Sequence, residues 1–256
     1  MQQSNTYIIV FSLILTAVLG GLLSGASQVL GPAQKKAQDL DTKKQILGAV
    51  MPMDEVNSKT PEEILALYAD VITSVVADYQ GNIITTNDKG GPMIAENVNV
   101  EKNYKKSQEE RQYPVFKYHK AGQEDNVEAY ILPVFGAGLW DAIWGFMALN
   151  TNLESVRGIT FSHRGETPGL GARITEGEVM ARYVDKTFVD SNGNIVSLDM
   201  VKGENNPESK LGPHKVDGMS GATLTANGVN AMLNNYYGYY QNYFDKHAKK
   251  GAMAVN

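Results

Sequence analysis

Residues 7–30, "YIIVFSLILTAVLGGLLSGASQVL", are apolar and carry no charge; the first charged side chain is Lys35. As a helix rising about 1.5 Å per residue, the run spans roughly 36 Å, enough to cross a hydrocarbon core. Ser24 and Ala26 could serve as the small residues of a leader's cleavage site. The run is long, however, and no basic n-region precedes it, which favours an anchor over a cleaved leader. Residues 33–45 turn polar and read as a juxtamembrane helix or linker. The expected division is 1–32 anchor, 33–58 linker and 59–256 folded domain.

Beyond the linker the period changes. Thr60-Pro61-Glu62-Glu63 has the form of a capping box with proline at the first helical position, and Ile64, Leu65, Leu67 and Tyr68 follow at helical spacing. Residues 71–86 read as a hairpin about Gly81. Residues 97–112 are polar and read as loop or mobile helix. Then come strands: 113–119, 127–135 and 157–163, with 140–150 apolar enough for a buried strand or a helix. Thr175 to Glu178 could cap a helix running to Val184. "NGNIVSLDMVK" reads as a strand leaving an Asn-Gly turn. After Thr225, the residues Val229, Met232, Leu233, Tyr236, Tyr237, Tyr240 and Phe244 recur at three/four spacing, a long amphipathic helix. Strands in the middle and helices at the edges predict an α+β domain with a mostly antiparallel sheet and flanking helices.

Composition narrows the function. The chain is 43% hydrophobic and 20% charged, which supports a core, and its net charge of -5 gives no basic footprint for nucleic acid. Cysteine is absent, so the chain supplies no thiolate for an iron–sulfur cluster and no disulfide. His119, His163, His214 and His247 show no metal-ligand spacing. "GAGLWD" and "GLGARI" lack the third glycine of a dinucleotide fingerprint, and no P-loop occurs.

The chemistry gathers in three stretches. In "VDGMSGATLTANG" the small residues Ser220, Gly221 and Ala222 clear space over a helix N-terminus, a ready anion site, with Thr223 and Thr225 beside it. Cap, bound phosphate and phosphate ester are all compatible with that pattern. "RGETPGLGARI" is a Pro/Gly-defined loop that lifts Leu170, a bulky apolar residue suited to a flat ring. Trp140 follows the two glycines of "GAGLW".

"DGMSGAT", residues 217–223, resembles the flavinylation motif whose final threonine takes FMN through a phosphoester. Together with a transmembrane start, "GLW" and "ETPGLG" in this order, it resembles the C subunit of the sodium-translocating NADH:quinone reductase over nearly the whole chain. The G subunit of the Rnf complex shares similar segments and is the alternative; a membrane-anchored flavin- or phosphate-binding module without turnover is another.

The resemblance implies covalent FMN on Thr223, attached by a separate flavin transferase that uses FAD and a divalent metal. Asp217, Ser220, Gly221 and Ala222 would then belong to what the transferase recognises. Thr225, Glu166, Thr167, Gly169, Leu170 and Trp140 would surround the cofactor. It also implies a flavin electron carrier between an iron–sulfur centre and a second flavin on the way to ubiquinone. The partners would be the other subunits and membrane lipid. The domain would lie on the outer, periplasmic face of the bacterial cytoplasmic membrane. Lys35, Lys36, Lys43 and Lys44 follow the apolar run and by charge bias favour the cytoplasm. A long domain, however, translocates largely regardless of flanking charge.

Overall fold

The computed structural model describes residues 4–248, in two compact units that divide between Thr42 and Lys43. The first unit is the greater part of helix α1 (Asn5–Gly48). It is the only helix among the described residues long and apolar enough to cross a membrane. Leu13, Leu22, Leu23 and Val29 are all more than half exposed along it. The segment read as a linker is helical as far as Gly48.

The second unit is built on a five-stranded antiparallel meander in the order β1-β2-β3-β4-β5. It is entered through α2 (Met53–Asn57) and α3 (Pro61–Val71). The box at the start of α3 forms as its sequence predicts. Glu63 N–H donates to Thr60 Oγ1 at 3.3 Å, and Thr60 N–H donates to Glu63 Oε2 at 2.7 Å. The meander then runs β1 (Ile72–Ala77), a polar excursion holding α4 (Val100–Tyr104), β2 (Tyr113–His119), β3 (Val127–Ala137), β4 (Ala142–Asn150) and β5 (Val156–His163). The apolar run at 140–150 is therefore a central strand.

Alternation along the strands builds two cores. Val115, Leu132, Val134, Ile143, Met147 and Phe161 face the larger one. On the other side Phe116 meets Phe146 edge to face. There the last turn of α1 lies over β5, and Thr160 Oγ1 donates to the Gln45 carbonyl at 3.2 Å. This is the period-two pattern of a sheet covered on both faces.

Before the long helix come α5 (Gly177–Ala181), then β6 (Asp199–Met200) and α6 (Glu208–Leu211). β7 (Lys215–Val216) pairs parallel with β6 and leads into α7 (Thr223–Tyr239). The helix expected to reach Val184 ends early. Tyr183 and Val184 bond back three residues, to Met180 and Ala181, and Asp185 turns out at φ 63°. The strand expected in "NGNIVSLDMVK" shrinks to two residues. Leu198 and Met200 N–H groups donate instead to Asn234 and Asn230 side chains of α7, at 2.9 and 2.7 Å. The asparagines, four apart on one helix face, stand in for a neighbouring strand. The second arm of the 71–86 hairpin likewise reduces to single bridges, Ala77 with Ile83 and Thr86 with Pro92.

The buried face of α7 is Val229, Met232, Leu233, Tyr236 and Tyr237, as its spacing predicts. It packs on β3 so closely that a Cβ on Gly136 would come 2.9 Å from Met232. α7 therefore begins at a fixed place against the β3–β4 turn.

Candidate flavin site

Three loops meet at the start of α7. The β3–β4 turn carries Leu139 and Trp140. The segment after β5 carries Glu166, Thr167, Gly169 and Leu170. The third, residues 217–222, leads into the helix. Glu166 joins the first two to the helix and is only 3% exposed. Its carboxylate accepts Trp140 N–H at 3.0 Å and the Thr225 hydroxyl at 2.5 Å. Burial alone would push this carboxyl up. The hydrogen bonds from Thr225 and from the N–H groups of Trp140, Asp141 and Leu139 outweigh it and hold the group below the usual carboxylate range.

The Leu170 loop is shaped by its own turns. Leu170 and Ala172 N–H groups both donate to the Thr167 carbonyl at 3.1 Å, and Gly169 sits at φ 73°. His163 Nδ1 accepts the Glu166 N–H at 3.2 Å, the ordinary part of a hydrogen-bonded loop histidine. Trp140 Nε1 donates to Thr167 Oγ1 at 3.1 Å, which fixes the indole while leaving the residue 70% exposed. Leu170 is 41% exposed, and a Cβ on Gly221 would come 2.9 Å from its Cδ2. Gly221 also needs its positive φ of 74°. The sequence-predicted residues Trp140, Glu166, Thr167, Gly169, Leu170, Gly221 and Thr225 thus share one site.

At the mouth of the helix the roles divide. Ala222 is the N-cap and makes no side-chain capping bond, and the first turn of α7 holds no acidic residue. The N-terminal N–H groups of a 17-residue helix are therefore left without a side-chain cap. Thr223, at the first helical position, is partly exposed, whereas Thr225 is buried. Ser220 is exposed. Small residues, free donors and the positive end of the helix dipole fit a phosphate group at Thr223. Exposed indole and leucine faces fit a flat aromatic ring.

Asp217 is occupied elsewhere. Its carboxylate accepts Asn205 N–H at 2.8 Å, Asn206 N–H at 3.0 Å and Asn206 Nδ2 at 2.8 Å. Burial opposes these bonds and Arg182 assists them; together they keep the carboxyl below its ordinary range. Reading the sequence missed Glu204, Arg173 and Arg182, which form an ion-pair cluster against the same loop. Arg173 follows directly on "ETPGLGA", its one local signal. Glu204 lies in "KGENNP", with nothing nearby in sequence to mark it.

An α+β domain that leaves a helix start uncapped between exposed tryptophan and leucine has the makings of a flavin-nucleotide binder. The profile of the FMN-binding domain family matches residues 138–238. The C subunit of the Na(+)-translocating NADH-quinone reductase of Pseudomonas aeruginosa is 32% identical over 250 residues, 93% of each chain. The Chlamydia muridarum C subunit is 28% identical over 92% of this chain and 90% of its own. The crystal structure of the Parabacteroides distasonis C subunit superposes with a TM-score of 0.68 at 29% identity, over 84% of this chain and 96% of that one. Shewanella oneidensis NqrC, 22% identical, shows the same fold at a TM-score of 0.66, over 82% of this chain and 98% of its own. The chain belongs to the C-subunit family of the Na(+)-translocating NADH-quinone reductase.

Proposed function

We propose that this chain is the covalent-FMN electron carrier of a sodium-translocating NADH:quinone reductase, with FMN esterified to Thr223. One observation carries the attachment site. Of the two threonines at the uncapped start of α7, Thr223 is partly exposed, and Thr225 has its hydroxyl tied to a buried carboxylate. In the attachment step the Thr223 oxygen forms a bond to the FMN phosphorus of FAD. The pyrophosphate bond breaks, AMP leaves, and the hydroxyl proton is released.

When bound, FMN supplies one-electron redox chemistry between stepwise carriers. The chain's own residues hold and shield it. The α7 N–H groups would face the phosphate, Leu170 and Trp140 would cover the ring, and Glu166 ties the β3–β4 turn and its own loop to α7. No general base or nucleophile is required during turnover. The electron donor is an iron–sulfur centre and the acceptor a second covalent flavin, both in partner subunits, with ubiquinone beyond. Residues 7–30 hold no charge, so the sodium path belongs to the partners and this segment serves as a single-pass anchor in contact with lipid. The domain stands on the periplasmic face, where a flavin transferase reaches Thr223.

The deciding experiment is the intact mass of the purified chain co-expressed with a bacterial flavin transferase. The expected result is a gain of one FMN moiety that is lost in Thr223→Ala. An unmodified mass, with flavin removed by denaturation, would replace the ester by a noncovalent phosphate site.

A further inference from the structure

Three stretches, carrying Arg173 with Arg182, Glu204, and Ser220, are tied together at the attachment loop, and one carboxylate sits at the knot. Glu204 Oε1 accepts from Arg173 Nη2 at 2.8 Å and from Arg182 Nη2 at 3.3 Å. Its Oε2 accepts from Arg173 Nη1 at 3.0 Å and from the Ser220 N–H at 3.2 Å. Those four bonds fill the four lone-pair directions of the carboxylate, and Arg173 engages it as a two-pronged fork. Arg182 spans the rest of the loop, with Nη1 donating to the Asp217 carbonyl at 3.2 Å and the Gly218 carbonyl at 2.5 Å. The loop's own Asp217 carboxylate returns the grip by taking the N–H groups of Asn205 and Asn206. Gly218 lies against the carbonyls of Val201 and Gly203 with no room for a Cβ.

The side chains of Arg173, Arg182, Glu204 and Asp217 are each 21% exposed or less, although they lie within one loop of the surface. Single surface ion pairs stabilise a protein little. A planar fork saturated with bonds chiefly fixes geometry. What it fixes is the placement of the Leu170 loop, which carries Arg173, relative to Ser220 and the three residues that end at Thr223.

We propose that Glu204 is a positioning residue for cofactor attachment. By joining Arg173 to the Ser220 N–H, it holds residues 217–222 in the shape a flavin transferase engages. The proposal rests on the reading that Thr223 accepts FMN. It concerns recognition of the acceptor chain, so it predicts a change in KM for that chain and little change in kcat once the loop is engaged.

The test uses the full-length apo chain in detergent, a purified bacterial flavin transferase, FAD and Mg2+, with initial rates of FMN attachment measured against chain concentration. Glu204→Gln keeps size and removes the charge and one acceptor; Arg173→Lys keeps charge and removes the fork. Both are expected to raise KM for the chain about tenfold with kcat within about twofold of wild type. A second readout needs no transferase. Amide hydrogen exchange in the peptide covering residues 217–222 should accelerate in both variants, while that of residues 229–238 stays as in wild type. Should either variant fail to fold, the other carries both readouts. Wild-type KM in a folded variant overturns the proposal, as does exchange that quickens equally along α7, since that marks a loss of overall stability. A wild-type chain that takes no flavin at Thr223 overturns the underlying reading as well. It is told apart from failure of the proposal alone, in which wild type and variants are labelled alike.

Discussion

The hydroxyl of Thr225 donates to the carboxylate of Glu166 at 2.5 Å, with both residues shut away from solvent. The pair separates two threonines that lie only two positions apart. Thr225→Val therefore keeps covalent flavin on Thr223 and lowers stability, because a buried carboxylate loses a donor. The expected cost is about 1–3 kcal/mol, read as a lower denaturant midpoint. Thr223→Ala abolishes in-gel flavin fluorescence after denaturation. Fluorescence that persists in Thr223→Ala would move the attachment to Thr225 and mean that the Glu166 bond opens in solution.

Leu170 and Trp140 offer apolar surface without taking part in attachment. Leu170→Ala leaves the flavin ester intact and admits water to the ring, which favours the charged reduced form and raises the midpoint potential. A loss of about 0.5–1 kcal/mol of that discrimination corresponds to roughly 20–40 mV for one electron. Spectroelectrochemical titration of the labelled chain measures it. If Leu170→Ala and Trp140→Ala both return the wild-type spectrum and potential, the two loops serve the fold alone.

The cluster at Glu204 gives the domain an acid limb. Hydrogen bonding from Arg173, then from the Ser220 N–H, pulls this carboxyl down to about 2 from an ordinary 4.5. A carboxyl depressed in the folded state stabilises it above the unfolded pKa. That contribution fades as pH falls from about 4.5 toward 2. Thermal midpoints should be flat above pH 5 and drop below it, with a shallower drop in Glu204→Gln. The effect is moderate and salt-sensitive, since the group lies near solvent. A variant that falls as steeply as wild type would assign the acid limb to other carboxylates, Asp217 and Glu166 first among them.

Much of this architecture is written locally. The capping box at Thr60, the alternating strands and the three/four spacing of α7 are each set by neighbours within a turn or a strand, and each appears where its pattern places it. The 192–202 stretch departs from its pattern because it takes partners from far along the chain, whereas the helix expected to reach Val184 ends on bonds within its own last turn. Leu198 and Met200 give their N–H groups to asparagines thirty or more residues away, so an apolar, β-rich run settles as two paired residues instead of a strand. The site divides the same way. Ser220, Gly221 and Thr223 announce themselves as a helix mouth. Glu204 does not, because its partners lie 16 to 31 residues off and only the fold brings them together.

Orientation is the point on which charge and family oppose each other. Lys35, Lys36, Lys43 and Lys44 follow the apolar run, and no Lys or Arg precedes it. Charge bias acting on short flanks would keep those lysines in the cytoplasm. The compact unit from Lys43 onward, however, is described as far as Ala248. That span is well beyond the loop lengths over which the bias is strong, and such domains cross largely regardless of charge. Flavin attachment supplies the opposing requirement: Thr223 must meet its transferase, which in this reading works outside the membrane. The expected outcome is that protease added to intact spheroplasts removes the domain and leaves a membrane-bound fragment containing residues 7–30. Full protection, with cleavage only after lysis, would place the domain in the cytoplasm. Attachment at Thr223 would then require a transferase on that side.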